Sequence, residues 1–225
     1  MRHLGIGLLA CCVLTSCHHS SPDKGTETKP AQGTAEKATA SDGWVDLFDG
    51  KTLNGWKINE NPNSWSVKDG CMVANGDRSH LFYVGDEKPF VNFELEVVAM
   101  TLPNSNSGVY FHTKYQDSGW PKYGFEMQVN NSHPDPQRTG SLWGVVPVPN
   151  PPSKDNEWFT LLLKVEGKHI TVKDNGQTVV DYTEPEGKKP GEDFTRVVDQ
   201  GTFALQAHDP GSTVKFKSIR VRRLP

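Results

Sequence analysis

Three separated stretches of this chain alternate apolar and hydrogen-bonding side chains with period two, and this constrains the fold more than any other feature. They are Gly108–Lys114, Tyr123–Asn130 and Thr202–His208. Successive side chains of a strand point to opposite faces. Val109 and Phe111 therefore share an inward face with Tyr123, Phe125, Met127 and Val129 of the second stretch and Phe203, Leu205 and Ala207 of the third. The opposite face carries Tyr110, His112 and Lys114, then Glu126, Gln128 and Asn130, then Gln206 and His208. Further runs at Phe93–Val97, Thr160–Val165, His169–Lys173, Gln177–Tyr182 and Val214–Val221 read as strands, and Asn175-Gly176 is a hairpin signal between two of them. The stretches Pro147–Pro152 and Gly187–Gln200 read as loops. With 21 Gly, 16 Pro and no long helical period, the expectation is all-β: a two-sheet antiparallel sandwich. Neither a collagen nor a coiled-coil period occurs. The net charge of −3, with no strongly basic block, argues against a nucleic-acid partner.

The first residues carry a targeting pattern. A short basic start precedes an apolar run from Leu4 to Leu14, too short to span a bilayer as a helix. It ends in Leu14-Thr15-Ser16-Cys17, which resembles the bacterial lipobox. That resemblance implies a lipoprotein signal peptide at 1–16 and a lipid on Cys17. Residues 17–41 follow as a disordered tether: Ser, Thr, Pro, Lys, Glu, Ala and Gly dominate, without aromatics. The expected domain is 42–225. Cys11 and Cys12 leave with the signal and Cys17 is acylated, so Cys71 is alone, without an intrachain disulfide, and is expected to be a small buried hydrophobe. The expected location is the bacterial cell envelope, anchored by lipid only, at the outer membrane facing the periplasm.

Several ordered motifs resemble the bacterial 3-keto-disaccharide hydrolase family, long known only as a domain of unknown function. They begin with Gly43-Trp44-Val45-Asp46-Leu47-Phe48-Asp49-Gly50-Lys51-Thr52-Leu53-Asn54-Gly55-Trp56 and Trp65–Gly70. Asn106-Ser107-Gly108-Val109-Tyr110-Phe111, Tyr123–Gln128, Leu205-Gln206-Ala207-His208 and Phe216–Arg220 follow in the family's order. The resemblance spans about Trp44 to Leu224. It implies a concanavalin A-like jelly roll, often on a lipoprotein, acting on glycosides already oxidised to a ketone at C3. A sugar oxidoreductase would then act upstream. His112 departs from the Arg often found at its position.

The chemistry suits these residue types. A C3 ketone acidifies the hydrogen on C2; a base can remove it, the enolate expels the C1 substituent, and water adds to the unsaturated sugar. Glu126 is the first candidate for proton transfer, with His208 and His112 as partners. Gln128, Asn130 and Gln206 are candidate sugar-hydroxyl partners, Tyr110 and Trp143 candidate stacking rings, and Lys114 a candidate oxyanion partner. Retaining sandwich glycosidases carry a strand of the type E-x-D-x-x-E, whereas Glu126–Asn131 holds a single carboxylate. Trp44, Trp56 and Trp65 are expected to close the fold, and the remaining histidines, His80 and His133 among them, have no expected role. No tight His or carboxylate cluster has metal-ligand spacing, so a divalent cation bridging Glu126 and His208 is left open, and no metal site is assigned. The competing class is a non-catalytic carbohydrate-binding lipoprotein. A converging proton-transfer pair in a pocket would favour the enzyme; a long open groove with aromatic platforms would favour binding.

Overall fold

A computed structural model describes residues 42–225; the expected signal peptide and tether, 1–16 and 17–41, lie outside the described residues. Among the described residues there are thirteen strands. They are β1 (Val45–Asp46), β2 (Trp56–Ile58), β3 (Trp65–Lys68), β4 (Cys71–Ala74), β5 (Ser79–Tyr83), β6 (Phe93–Thr101) and β7 (Asn106–Thr113), then β8 (Phe125–Asn130), β9 (Phe159–Glu166), β10 (His169–Asp174), β11 (Gln177–Thr183), β12 (Thr202–Ala207) and β13 (Val214–Arg223). One sheet runs β11-β10-β9-β6-β13-β4-β3, with β1 also on β13; the other runs β2-β5-β12-β7-β8. Neighbours pair antiparallel, as in β6 with β13 and β7 with β8. The expected all-β two-sheet sandwich is the fold observed.

The larger sheet shows how the pattern works. Along β6, Phe93, Leu95, Val97 and Ala99 are buried and alternate with half-buried positions. Glu94 and Glu96 point outward, where Arg222 pairs with Glu94 and Arg220 Nε donates to Glu96 at 2.8 Å. Trp56 and Trp65 are buried, their indole N–H groups donating to the Leu47 carbonyl (2.7 Å) and Ser79 Oγ (3.0 Å). Between the sheets Phe203 lies 4.5 Å from Phe90 and 5.0 Å from Phe93, centroid to centroid. Cys71 is buried at the edge of this packing, and burial pushes its thiol up. The Asn175-Gly176 turn has φ of 48° and 81°, left-handed at both central residues as a primed hairpin needs, and joins β10 to β11 at Asp174↔Gln177.

The smaller sheet behaves differently. Every residue of β7 and β8 is buried, on both faces. One face packs on the core; the other holds the polar row and is covered by loops. Covering a polar row in this way is costly unless its groups find partners, so this face is where function is to be sought.

The strict alternation fails at His112. Its φ is 53°, the left-handed region that bulky side chains rarely adopt. The pairing of β12 with β7 shifts register beside it, between Thr202 and Ala204. Two glycines admit the bulge. A Cβ on Gly124 would lie 2.0 Å from the Phe111 carbonyl oxygen, and one on Gly201 would lie 2.3 Å from that of Thr113. Gly124, at φ 71°, also ends the alternation of the next strand, so Tyr123 is exposed rather than inward.

Gly124→Ala and Gly176→Ala separate conformational strain from close approach. Both residues are left-handed, but a Cβ at Gly176 meets open space. Gly176→Ala is expected to cost about 1–2 kcal/mol, and Gly124→Ala at least ~3 kcal/mol, in chemical denaturation. Equal losses would contradict the role assigned to the Phe111–Gly124 approach.

Candidate functional site

Register across the smaller sheet builds the site. Tyr110 sits opposite Glu126, and Gly108 opposite Gln128. Gly108 matters because it has no side chain: a Cβ there would lie 2.3 Å from Glu126 Oε1. The Glu126 carboxylate lies over that gap. Gln206 Nε2 donates to Glu126 Oε1 (3.1 Å) and to the Tyr110 hydroxyl oxygen (2.8 Å), and the Tyr110 hydroxyl bonds Glu126 in turn. Gln128 donates to Asn106 Oδ1 at 2.8 Å.

A cavity of about 250 Å³ stands on this row. Glu126, Gln128, Tyr110, Gln206 and Asn106 form its floor, and loops supply Trp120, Asp135, Trp143, Phe194, Arg196 and His208. Arg196 Nη2 lies 3.9 Å from Glu126 Oε2. Its guanidinium sits 5.1 Å from the Trp143 ring and 4.9 Å from that of Phe194. Its backbone is left-handed, φ 45°, a strained conformation of the kind that collects at functional sites. Burial dominates the electrostatics and pushes Glu126 up to about 7, against the opposing pull of Arg196 and the hydrogen bonds from Tyr110 and Gln206. Burial likewise lowers Arg196, although Glu126 favours its charge. Several buried polar atoms on the lining residues have no partner: Gln128 Oε1, Gln206 Oε1, and Arg196 Nε and Nη1. Two acceptors and a guanidinium edge fit a hydroxyl-rich ligand with an electron-rich oxygen.

His208 follows β12 directly and lines the cavity. Its Nδ1–H donates to Asp209 Oδ2 at 2.7 Å, which fixes the orientation of the ring. Burial opposes the charge on Asp209, but hydrogen bonds from Ser212 and His208 outweigh it and hold that carboxyl below its usual range. Among the described residues, His133, His208 and Asp209 form a group with ligand atoms within 4.8 Å of one another. The backbone N–H of Asp135 donates to His133 Nδ1 (3.1 Å), so the ring proton sits on Nε2, toward Asp209. As a cation ligand through Nδ1, His133 would have to give up the bond from Asp135.

The structure thus brings together Glu126, Tyr110, Gln128, Trp143, Gln206 and His208. It does not bring His112, Lys114 or Asn130 to the cavity. The left-handed turn at His112 rotates its ring into the sandwich edge, 5.6 Å from Phe93, where Nε2–H donates to the Val91 carbonyl (2.9 Å) and Nδ1 accepts from Asp199 N–H (3.3 Å). Lys114, beyond the bulge, is exposed beside Asp199 (3.9 Å) and the Tyr123 ring. Asn130 has the expected parity, but its side chain ties down the following loop: Nδ2 donates to the Asp135 and Gln137 carbonyls, and Oδ1 accepts from His133 N–H. Arg196, Trp120, Asp135 and Phe194 escaped the sequence reading because they sit on loops without a period. Asp135 also means that the cavity holds a second carboxylate, although β8 supplies only one.

Comparison with known proteins agrees with this architecture. The profile of the 3-keto-alpha-glucoside-1,2-lyase-like domain matches residues 43–222. A 3-keto-disaccharide hydrolase of Bacteroides thetaiotaomicron is 27% identical, with 77% of each chain covered. Among solved structures, a candidate glycosyl hydrolase from Parabacteroides distasonis superposes with a TM-score of 0.66 at 23% identity, covering 82% of this chain and 95% of that one. A carbohydrate-binding module from Bacillus subtilis superposes with a TM-score of 0.55 at 14% identity, covering 76% and 98%. These neighbours make the sandwich the concanavalin- and lectin-like one.

The burial of Glu126 has a stability consequence. Its folded pKa lies above its ordinary value of 4.5, so between about pH 4.5 and 7 the folded protein keeps a proton that the unfolded chain has released. Stability therefore falls as pH rises through that window. Glu126→Gln removes the effect. Denaturation at about pH 4.5 and about pH 8 should show the wild type losing about 3 kcal/mol relative to Glu126→Gln; parallel profiles would contradict the burial argument.

Proposed function

The chain belongs to the family of 3-keto-alpha-glucoside-1,2-lyase-like domains, and on that premise we propose that it cleaves 3-keto glycosides by elimination across C1 and C2 followed by hydration. Family membership gives the coarser statement, hydrolase-like action on carbohydrate. The observation that supports the finer one is a buried carboxylate poised at about 7 beside a guanidinium with unpartnered N–H groups.

In the proposed sequence, Glu126 in its carboxylate form takes the hydrogen on C2. The electron pair moves into C2–C3 and onto the C3 oxygen, and the N–H groups of Arg196 stabilise that enolate oxygen. The enolate returns its electrons and expels the C1 oxygen substituent, which is protonated by Glu126 with the proton it took from C2. Water then adds across the resulting double bond, so the sum is hydrolysis. A base whose pKa lies near the operating pH is the efficient choice for such a transfer. Gln128 and Gln206 offer free acceptors to the sugar hydroxyls, and Trp143 offers an aromatic wall.

Asp135 favours a second reading: a paired-carboxylate glycosidase that acts through an oxocarbenium-like state and needs no ketone. Substrate choice separates the two. The elimination reading expects turnover of a 3-keto disaccharide and none of its unoxidised parent, with activity rising on the acid side through pH about 7 as Glu126 ionises. Glu126→Gln should keep the fold and lower turnover roughly 10²–10⁴-fold. Full activity in that variant, or cleavage of the unoxidised parent at a similar rate, would contradict it. For location we propose a lipid anchor at Cys17, in the envelope and facing the periplasm, with a sugar oxidoreductase supplying the ketone; membrane fractionation of Cys17→Ala tests the anchor, since unchanged processing and fractionation would contradict it.

A further inference from the structure

The polar face of the smaller sheet continues past the cavity. Its register runs from Gln128 and Gly108 through Gln206 to His80 of β5, which pairs with Gln206. His80 is fully buried, and neither of its ring nitrogens has a hydrogen-bond partner. Burial pushes its pKa down to about 3, so the ring is neutral, with one donor and one acceptor unused. Buried polar groups are almost always paired, so a doubly unpaired imidazole at the end of a ligand-facing row calls for a cause.

The cause is Trp120. Its indole meets His80 edge-on at 5.5 Å and lies 5.3 Å from His208, with the Arg78 guanidinium 5.4 Å from the ring. The loop that carries it is fixed in place. Gly119 N–H donates to Glu60 Oε1 at 2.9 Å, and the same carboxylate pairs with Arg78 at 3.0 Å. The Gln116 amide donates to the carbonyls of Ser118 (2.7 Å) and Trp120 (2.9 Å). Next to it, Tyr115 covers Phe82 at 5.3 Å, extending a small apolar cluster separate from the main core. The row is therefore open as a cavity over β12, β7 and β8 and sealed over β5. At about 250 Å³ the open part is below the ~300–1,000 Å³ of ordinary small-molecule sites and has room for one sugar ring.

We propose that Trp120 determines specificity: its indole occupies the place over His80 where a further sugar ring would lie, and so restricts the site to glycosides whose oxidised ring is the terminal one. The inference rests on the sugar-site reading above and concerns length, not chemistry. An aromatic side chain is a suitable stand-in, being flat, rigid and largely apolar, as the face of a pyranose is.

The test is calorimetric titration of Glu126→Gln protein, which separates binding from turnover. The probes are a 3-keto disaccharide oxidised on its terminal ring and a trisaccharide oxidised on its middle ring. With Trp120 present, the disaccharide should bind at least about tenfold more tightly, which is about 1.4 kcal/mol. Trp120→Ala should bring the two within about threefold, and adding His80→Ala should take that gain away. Trp120→Leu keeps an apolar cover on a shorter side chain and gives the same reading should Trp120→Ala unfold. Equal affinities with Trp120 present, or a preference that survives Trp120→Ala or Trp120→Leu in folded protein, would overturn the proposal alone. Binding of neither probe would overturn the sugar-site reading and the proposal with it.

Discussion

A missing Cβ governs this site. Gly108 leaves a gap in β7 just where Glu126 of β8 needs room, and an alanine there would put carbon 2.3 Å from the carboxylate oxygen. The acid can therefore lie against the sheet, under loops, largely removed from water. Desolvation raises its pKa, and the groups around it, the Gln206 amide, the Tyr110 hydroxyl and the Arg196 guanidinium, each favour its charge. The outcome is a carboxylate near the midpoint of its titration at neutral pH. Neither burial alone nor partners alone would produce it, because the first would keep the acid protonated and the second would hold it ionised.

Loops complete what the strands begin. The sheet supplies a row of glutamine, tyrosine and glutamate at fixed spacing, and three loops bring in Arg196, Trp120 and Asp135. One of them stores backbone strain at Arg196, and another is organised by Asn130, which reaches out of β8 to hold the turn that presents Asp135 and His133. The related sandwiches include a carbohydrate-binding module, so the fold by itself is compatible with binding without reaction. The distinction lies in the site: a cavity with a perturbed acid suits the proposed proton transfer, whereas a long open groove would suit holding a chain.

Period two made the sandwich legible, and with it the parity of Tyr110, Glu126, Gln128 and Gln206. It holds only while the backbone stays extended. At His112 the chain turns left-handed, so the rule placed His112 and Lys114 on a face they do not occupy. Gly124 and Gly201 were visible in the sequence, and glycines flanking a strand are a known mark of close backbone approach; the signal was there but not its direction. Arg196 and Trp120 had no comparable signal, because a loop residue's position depends on contacts distant in sequence, such as Gly119 with Glu60. His80 was legible as a strand residue, but its burial depends on the loop above it.

Under the proposed function the reaction starts at the carbon next to the ketone rather than at the anomeric carbon. A 3-keto disaccharide carrying deuterium at C2 of its oxidised ring, turned over in ordinary water and read by mass spectrometry of the released keto sugar, tests this directly. Elimination through Glu126 predicts that the deuterium is lost to solvent in step with cleavage, with a primary isotope effect where proton transfer limits the rate. Released sugar that keeps its full deuterium content would contradict the account and place the chemistry at C1, with Asp135 and Glu126 acting as a glycosidase pair.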